Sequence, residues 1–281
     1  MMKNILIPTD FSENSWNAVK YALLLFKEFR CSFYLLHVTN PHVYATSDVP
    51  LVTFPQDLDE VLRTEARKEL QKVLARIEEE YPNPGHHFTL LSEYDFLIDT
   101  VRKQVEEKKV DLIVMGTKGA SGLKEVILGS NTGAVITKVK CPVLAVPEKV
   151  TFHPPREIAF PTDYTITYSA KVLDTLISLA GIFQSAVSVL HVVKKEEETL
   201  TGVQQENKEF LREYLQDTPH SFHRLTNKNL GEAIQCFTES RDIDWIAMMA
   251  KKLHLTQQIL FRPRVAKISY HTKIPFLVLH E

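Results

Sequence analysis

The sequence predicts an α/β protein made of two tandem, doubly wound domains, each a five-stranded parallel sheet with helices on both faces. Three observations lead there. Short apolar, β-branched runs alternate with amphipathic helical stretches along the chain, the pattern of strand–helix–strand units with right-handed crossovers. The pattern is written twice. Finally, five of the nine glycines, Gly116, Gly119, Gly122, Gly129 and Gly133, fall within one short stretch directly after the apolar run Val110-Asp-Leu-Ile-Val-Met115. A strand that empties into a glycine-rich loop brings backbone N–H groups close to phosphate oxygens, because glycine has no Cβ to hold a ligand away.

In the first copy the strand candidates are 4–7, 32–38, 87–92, 111–115 and 143–146. Residues 15–29 have helical periodicity, with Ser12 placed to cap the helix start. Residues 58–81 form a long charged amphipathic helix, 96–109 a third helix and 132–139 a short fourth. The segment 41–55 is loop-like but apolar; it suits a cover for a site or an insertion packed on its own domain.

The repeat fixes the second copy. Lys3-Asn-Ile-Leu-Ile-Pro-Thr-Asp-Phe-Ser12 returns as Arg156-Glu-Ile-Ala-Phe-Pro-Thr-Asp-Tyr-Thr165, so Asp10 corresponds to Asp163. Leu35-Leu-His-Val38 returns as Val189-Leu-His-Val192, Asp111-Leu-Ile-Val-Met115 as Asp244-Trp-Ile-Ala-Met248, and Cys141-Pro-Val-Leu-Ala-Val146 as Ile274-Pro-Phe-Leu-Val-Leu279. The second copy is shorter in the middle by about one helix. Pro147, Pro154 and Pro155 punctuate the connection, which divides the chain into domains 1–148 and 154–281.

Composition narrows the function. A net charge of −2 gives no electrostatic case for nucleic acid or for an acidic membrane surface. Three well-separated cysteines, with no CxxC, argue against a disulfide framework or a zinc site and fit a reducing cytoplasm. The apolar run near Met1 is too short for a secretion signal, and no stretch reaches the length of a membrane span.

Ligands of open α/β sheets bind beyond the carboxyl ends of the strands, where strand order reverses. Asp10 ends the first strand and the glycine loop follows the fourth, so neighbouring strands would bring them into one crevice. Read alone, Asp10 also suits a cap on the first helix, and one or two glycines suit a tight turn or close helix packing.

The pattern Gly116-x2-Gly119-x9-Gly129-Ser130, together with Pro8-Thr-Asp10-Phe-Ser12 and Leu36-His-Val38, resembles the nucleotide-binding signature of the universal stress protein family. The resemblance covers the whole chain as a tandem pair. It implies strand order 3-2-1-4-5 and an adenine nucleotide, ATP or ADP, between strands one and four. It places Asp10 and Val38 at the adenine and ribose end, Val38 through its backbone. Met115 and Gly116 lead into the loop. Gly116, Gly119, Gly129 and Ser130 would hold ribose and phosphates, and Asn131 and Thr132 open a helix whose N-terminus faces the phosphates. A phosphate-bound Mg²⁺ would suit the charge, with no carboxylate cage for it in the sequence. Lys118 reads best as a solvated loop lysine. The family's pairing through last strands implies an intrachain pseudo-dimer of 141–146 against 274–279, covering two sheet edges. A further homodimer and an unidentified protein partner stay open.

The second copy lacks the signature. Met249, Lys252, Arg262 and Pro263 stand opposite Gly116, Gly119, Gly129 and Ser130, and proline offers no N–H. Lys251, Lys252, Arg262 and Arg264 read as a solvated basic loop. Of the 11 histidines, His37 and His191 repeat at strand ends, which favours packing; His86 and His87, and His220 and His223, make poor metal pairs. No HExxH, GxSxG or GxxxxGK[ST] is present, and the glycine loop follows the fourth strand, not the first as in dinucleotide-binding folds. Slow ATP hydrolysis is compatible with the resemblance, but no catalytic residue is assigned. The expectation is a stress-response module in which nucleotide orders the loop 116–130 and the segment 41–55. The rival is a nucleotide-free interaction scaffold.

Overall fold

The computed structural model describes residues 3–40, 58–117, 129–250 and 274–280. The segment 41–55 and most of the loop 116–130, including Lys118, Gly119 and Gly122, lie outside the described residues, as do Lys251, Lys252, Arg262, Pro263 and Arg264.

The first copy runs β1 (Asn4–Pro8), α1 (Glu13–Leu25), β2 (Cys31–Thr39), α2 (Leu58–Glu80), β3 (His86–Tyr94), α3 (Leu97–Glu107), β4 (Leu112–Gly116), α4 (Ser130–Lys138) and β5 (Val143–Val146). The second runs β6 (Glu157–Pro161), α5 (Ala170–Phe183), β7 (Ala186–Val193), α6 (Gly202–Tyr214), β8 (His220–Thr226), α7 (Leu230–Ser240), β9 (Trp245–Met249) and β10 (Phe276–Leu279). The copies differ most between their second and third strands, where α6 has 13 residues against 23 in α2.

The strands form one ten-stranded sheet, β3-β2-β1-β4-β5-β10-β9-β6-β7-β8. Each half is parallel in the order 3-2-1-4-5. The halves join where β5 and β10 run antiparallel, with Phe276 opposite Ala145, Leu277 opposite Leu144 and Val278 opposite Val143. This pairing covers the edge each half would otherwise expose. Buried residues of α1, α2, α5 and α6 pack on one face, among them Trp16, Leu70, Leu173 and Leu211. Those of α3, α4 and α7 pack on the other, among them Val101, Val135 and Ile234. Strands covered on both faces explain the continuous apolar runs of the sequence, such as the fully buried β4.

Local chemistry sets the element ends. Ser12 caps α1 by accepting the Ser15 N–H at 3.2 Å, so the helix begins at Glu13 and ends at Leu25, four residues short of the expected 29. Asp111 falls just outside β4. Its Oδ2 accepts from the N–H groups of Lys3 (2.8 Å) and Asn4 (3.0 Å) and clamps the start of β1. Asp244 does the same for Arg156 (2.6 Å) and Glu157 (3.0 Å). The connection between the copies is tied down: Asn17 Nδ2 donates to the carbonyls of Pro147 (3.1 Å) and Val150 (3.0 Å), and Phe152 packs edge-on against Tyr21.

Candidate functional site

The turn from β1 into α1 is built the same way in both copies. Phe11 adopts φ 64° and Tyr164 φ 56°, a left-handed backbone that aromatic residues rarely take. Side chains hold it there. Thr9 Oγ1 accepts the Phe11 N–H at 3.1 Å; Asp10 Oδ1 accepts from the Ser12 N–H at 3.2 Å and the Ser12 hydroxyl at 2.6 Å. Thr162 and Asp163 repeat these bonds to Tyr164 and to Thr165. Asp10 therefore shapes the turn, the role it shares with Asp163. His37 Nδ1 lies 2.9 Å from the Thr9 carbonyl and so carries the proton, and its ring stacks on Phe11 with centroids 4.4 Å apart. His191 bonds the Thr162 carbonyl at the same distance.

Beyond the carboxyl ends of β1, β2 and β4 lies a crevice of about 360 Å³. Asp10, Val38, Met115, Gly116, Gly129, Ser130, Asn131 and Thr132 line it, which are the sequence-expected residues apart from Gly119. The sequence reading missed Thr9, Ser15, His37, Asn40 and Leu97, which also line it. For His37 a signal existed: the Thr-Asp-aromatic turn and the strand-end histidine recur together in both copies.

Two sets of backbone groups line the crevice. On one wall, the carbonyl of Leu36 accepts the Thr9 N–H at 2.8 Å, the last rung between β1 and β2, and the carbonyl of Thr39 accepts Asp95 N–H from the β3 side. Backbone groups in a parallel strand alternate sides, so Val38 directs its own N–H and C=O past the end of β1. On the other wall is the start of α4. Its first intrahelical bond runs from Gly133 N–H to Gly129 O, which leaves the N–H groups of Ser130, Asn131 and Thr132 without an intrahelical acceptor. The Thr132 hydroxyl, buried, donates to Gly116 O at 2.7 Å and fastens α4 to the end of β4.

The glycines serve different ends. A Cβ on Gly116 would lie 2.8 Å from Asn14 Nδ2 and 3.0 Å from Asn14 O, so glycine is required there for α1 to pack against β4. Gly129 donates its N–H to Thr117 O and caps α4 with φ −60° and ψ 152°, a conformation open to any residue. In the second copy Met249 ends β9 opposite Leu279, as Gly116 ends β4 opposite Val146, and its side chain is buried there.

Two further histidines have packing partners. His86 Nε2 lies 3.1 Å from the Phe26 carbonyl, and burial lowers its pKa. His223 is bonded by Ser221 at 2.6 Å, with Phe237 of α7 against its ring, and burial lowers its pKa too. Among the described residues no three His, Cys, Asp or Glu side chains are grouped to hold a metal ion, and no helix is long and apolar enough to cross a membrane. Cys31 and Cys141 are buried thiols outside any disulfide; burial, with Asp111 nearby, pushes them up to about 11 and about 12, so neither is a ready nucleophile.

Comparison with known proteins agrees with this architecture. The chain is 34% identical over 151 residues to Universal stress protein MJ0531 of Methanocaldococcus jannaschii, covering 52% of this chain and 82% of that one. It is 33% identical over 147 residues to Universal stress protein YxiE of Bacillus subtilis, covering 52% of this chain and 99% of that one. A solved universal stress protein from Archaeoglobus fulgidus superposes with a TM-score of 0.70 at 17% identity, over 98% of this chain and 97% of that one, a likeness of fold. The model of the Universal stress protein family matches residues 1–147 and again 155–280, so the chain belongs to that family, with two copies of its domain in tandem.

Proposed function

We propose that the protein is an adenine-nucleotide-binding stress-response module, in which the first domain, 1–148, takes ATP or ADP in the crevice and the second, 154–281, acts as its structural or regulatory partner. One observation carries the reading: a crevice of about 360 Å³ is lined by both the outward backbone of Val38 and the N-terminus of α4. The Val38 N–H and C=O suit the edge of a purine. The amides of Ser130, Asn131 and Thr132, the Ser130 hydroxyl and the α4 dipole suit phosphate oxygens, an arrangement that favours anions by both hydrogen bonding and charge. Met115 and Gly116 form the floor between them, Asp10 stands at the ribose side, and Gly119 belongs to the same signature. Mg²⁺ would come with the phosphates, since the described residues offer it no cage. This is a reading of binding and assigns no catalytic residue. Its setting is the cytoplasm, and a protein partner would read the nucleotide state.

Calorimetric titration of nucleotide-stripped protein with Mg-ATP, and with ADP, tests it. One site per chain is expected, lost in Gly129→Arg, where the backbone accepts the substitution and the side chain fills the crevice. Two sites per chain would show that the second domain also binds. No binding would favour the scaffold reading.

A further inference from the structure

A second cavity, of about 160 Å³, lies on the other side of the β1–α1 turn, between α1 and α2. Phe11, Trp16 and Val73 give it apolar walls, and Glu69, Lys72 and Arg76 line its rim. Three observations set it apart from a packing gap. Trp16 is only 5% exposed, yet among the described residues its indole N–H has no hydrogen-bond partner. Leaving such a donor buried and unpaired works against the fold, so an acceptor there would be welcome. Next, the Arg76 guanidinium lies 4.1 Å over the face of the Trp16 ring, held by Glu80 at 2.7 Å and by Glu13 at 3.6 Å, and exposed pairs of this kind contribute little. The third is a contrast with the second copy. There the corresponding helix is fastened to the equivalent turn, where Gln204 Nε2 donates to Asp163 O and Asn207 Nδ2 to Tyr164 O, each at 2.8 Å.

We propose that this cavity is a second ligand site, distinct from the nucleotide crevice, for a small, uncharged, mostly apolar molecule with one carbonyl-type oxygen. That oxygen accepts from the Trp16 N–H, and the body of the molecule lies against Phe11 and Val73. No net charge is called for, since Lys72 is already paired with Glu69 at 2.7 Å and Arg76 with Glu80. The cavity shares Thr9 and Ser15 with the crevice wall, but its occupancy does not depend on nucleotide binding there.

The chain has two tryptophans, so the full-length protein labelled with ¹⁵N at the indole gives two side-chain resonances, assigned with Trp245→Phe. Benzamide is the probe. Its titration is expected to move the Trp16 resonance downfield and to saturate, with a Kd of about 0.1–10 mM for so small a ligand. The Trp245 resonance should stay in place, and the ring protons of benzamide should show Overhauser contacts to the Val73 methyls. Val73→Phe, which fills the cavity, should weaken binding at least tenfold; an unchanged Trp245 resonance in that variant reports its fold. A Trp16 resonance that does not move, or that drifts without saturating, would overturn the proposal. So would the absence of Val73 contacts, or an undiminished response in a folded Val73→Phe.

Discussion

The indole N–H of Trp245 in β9 donates to the hydroxyl of Tyr21 in α1 at 2.7 Å, a buried bond between the second copy and the first. Its surroundings keep both groups dry: Trp245 has no exposed surface, and burial raises the Tyr21 pKa. Helix α1 thus touches three regions, the crevice through Ser15, the connection through Asn17 and the second copy through Tyr21.

Tyr21→Phe removes the acceptor and leaves a buried indole N–H unpaired. It is expected to lower the unfolding free energy by about 1–3 kcal/mol. In a double-mutant cycle Tyr21→Phe with Trp245→Phe should cost less than the sum of the single changes, because the second change removes the orphaned donor. Equilibrium urea unfolding measures each corner, and additive costs would show that the bond contributes nothing of its own.

Gly116→Ala places a methyl group 2.8 Å from Asn14 Nδ2 and 3.0 Å from the Asn14 carbonyl. The nearest obstacle is the buried Asn14 amide, with the Asn14 carbonyl just beyond it, so Asn14 must repack or α1 and β4 must shift apart, at about 1–3 kcal/mol. Thermal unfolding should show a lower midpoint even with no nucleotide present. A full-stability Gly116→Ala protein would mean that this glycine serves the ligand alone.

Thr132→Val keeps the shape of the side chain and removes the hydroxyl that fastens α4 to Gly116 O at 2.7 Å. The expected loss is about 1 kcal/mol in stability. Nucleotide affinity should fall too, since the amides of the α4 N-terminus are then less firmly placed. Thr132→Ser, which retains the hydroxyl, should restore most of both, as read by calorimetry and thermal melts.

His280 ties the end of the second copy to α4 of the first, through the backbone of Ile136, and burial pushes its pKa down to about 4. In the unfolded chain a histidine titrates near 6.5. The native protein holds it neutral while the unfolded chain takes up a proton, so its contribution is full above about pH 6.5 and is lost as pH falls toward 4. His86 and His223, both lowered by burial, act in the same direction. The urea midpoint should therefore drop between pH 7 and pH 4.5, and His280→Gln should make that drop smaller. A pH dependence unchanged in His280→Gln would contradict this account.

The resemblance was legible because its residues lie close together in sequence. Pro8 to Ser12 and the spaced glycines are local patterns, and duplication let each copy check the other. Of the residues missed around the crevice, Thr9 and His37 lie within the quoted local patterns, whereas Ser15, Asn40 and Leu97 carry no local signature of a ligand. His37 reads as a packing residue and is one, yet its ring also forms wall.

The sequence by itself determined the α/β class, the repeat, the identity of most strands and the side of the sheet where a crevice forms. Periodicity and turn chemistry are local, and right-handed crossovers leave few ways to assemble them. Tertiary structure decided the rest. Gly116 is needed because Asn14 stands beside it, and Gly129 keeps its amide bonded to Thr117. Helix α6 is fastened to Asp163 and Tyr164, while α2 leaves a cavity beside an unpaired Trp16. Each of these depends on which side chain meets which across elements distant in the chain, and packing in three dimensions alone sets that.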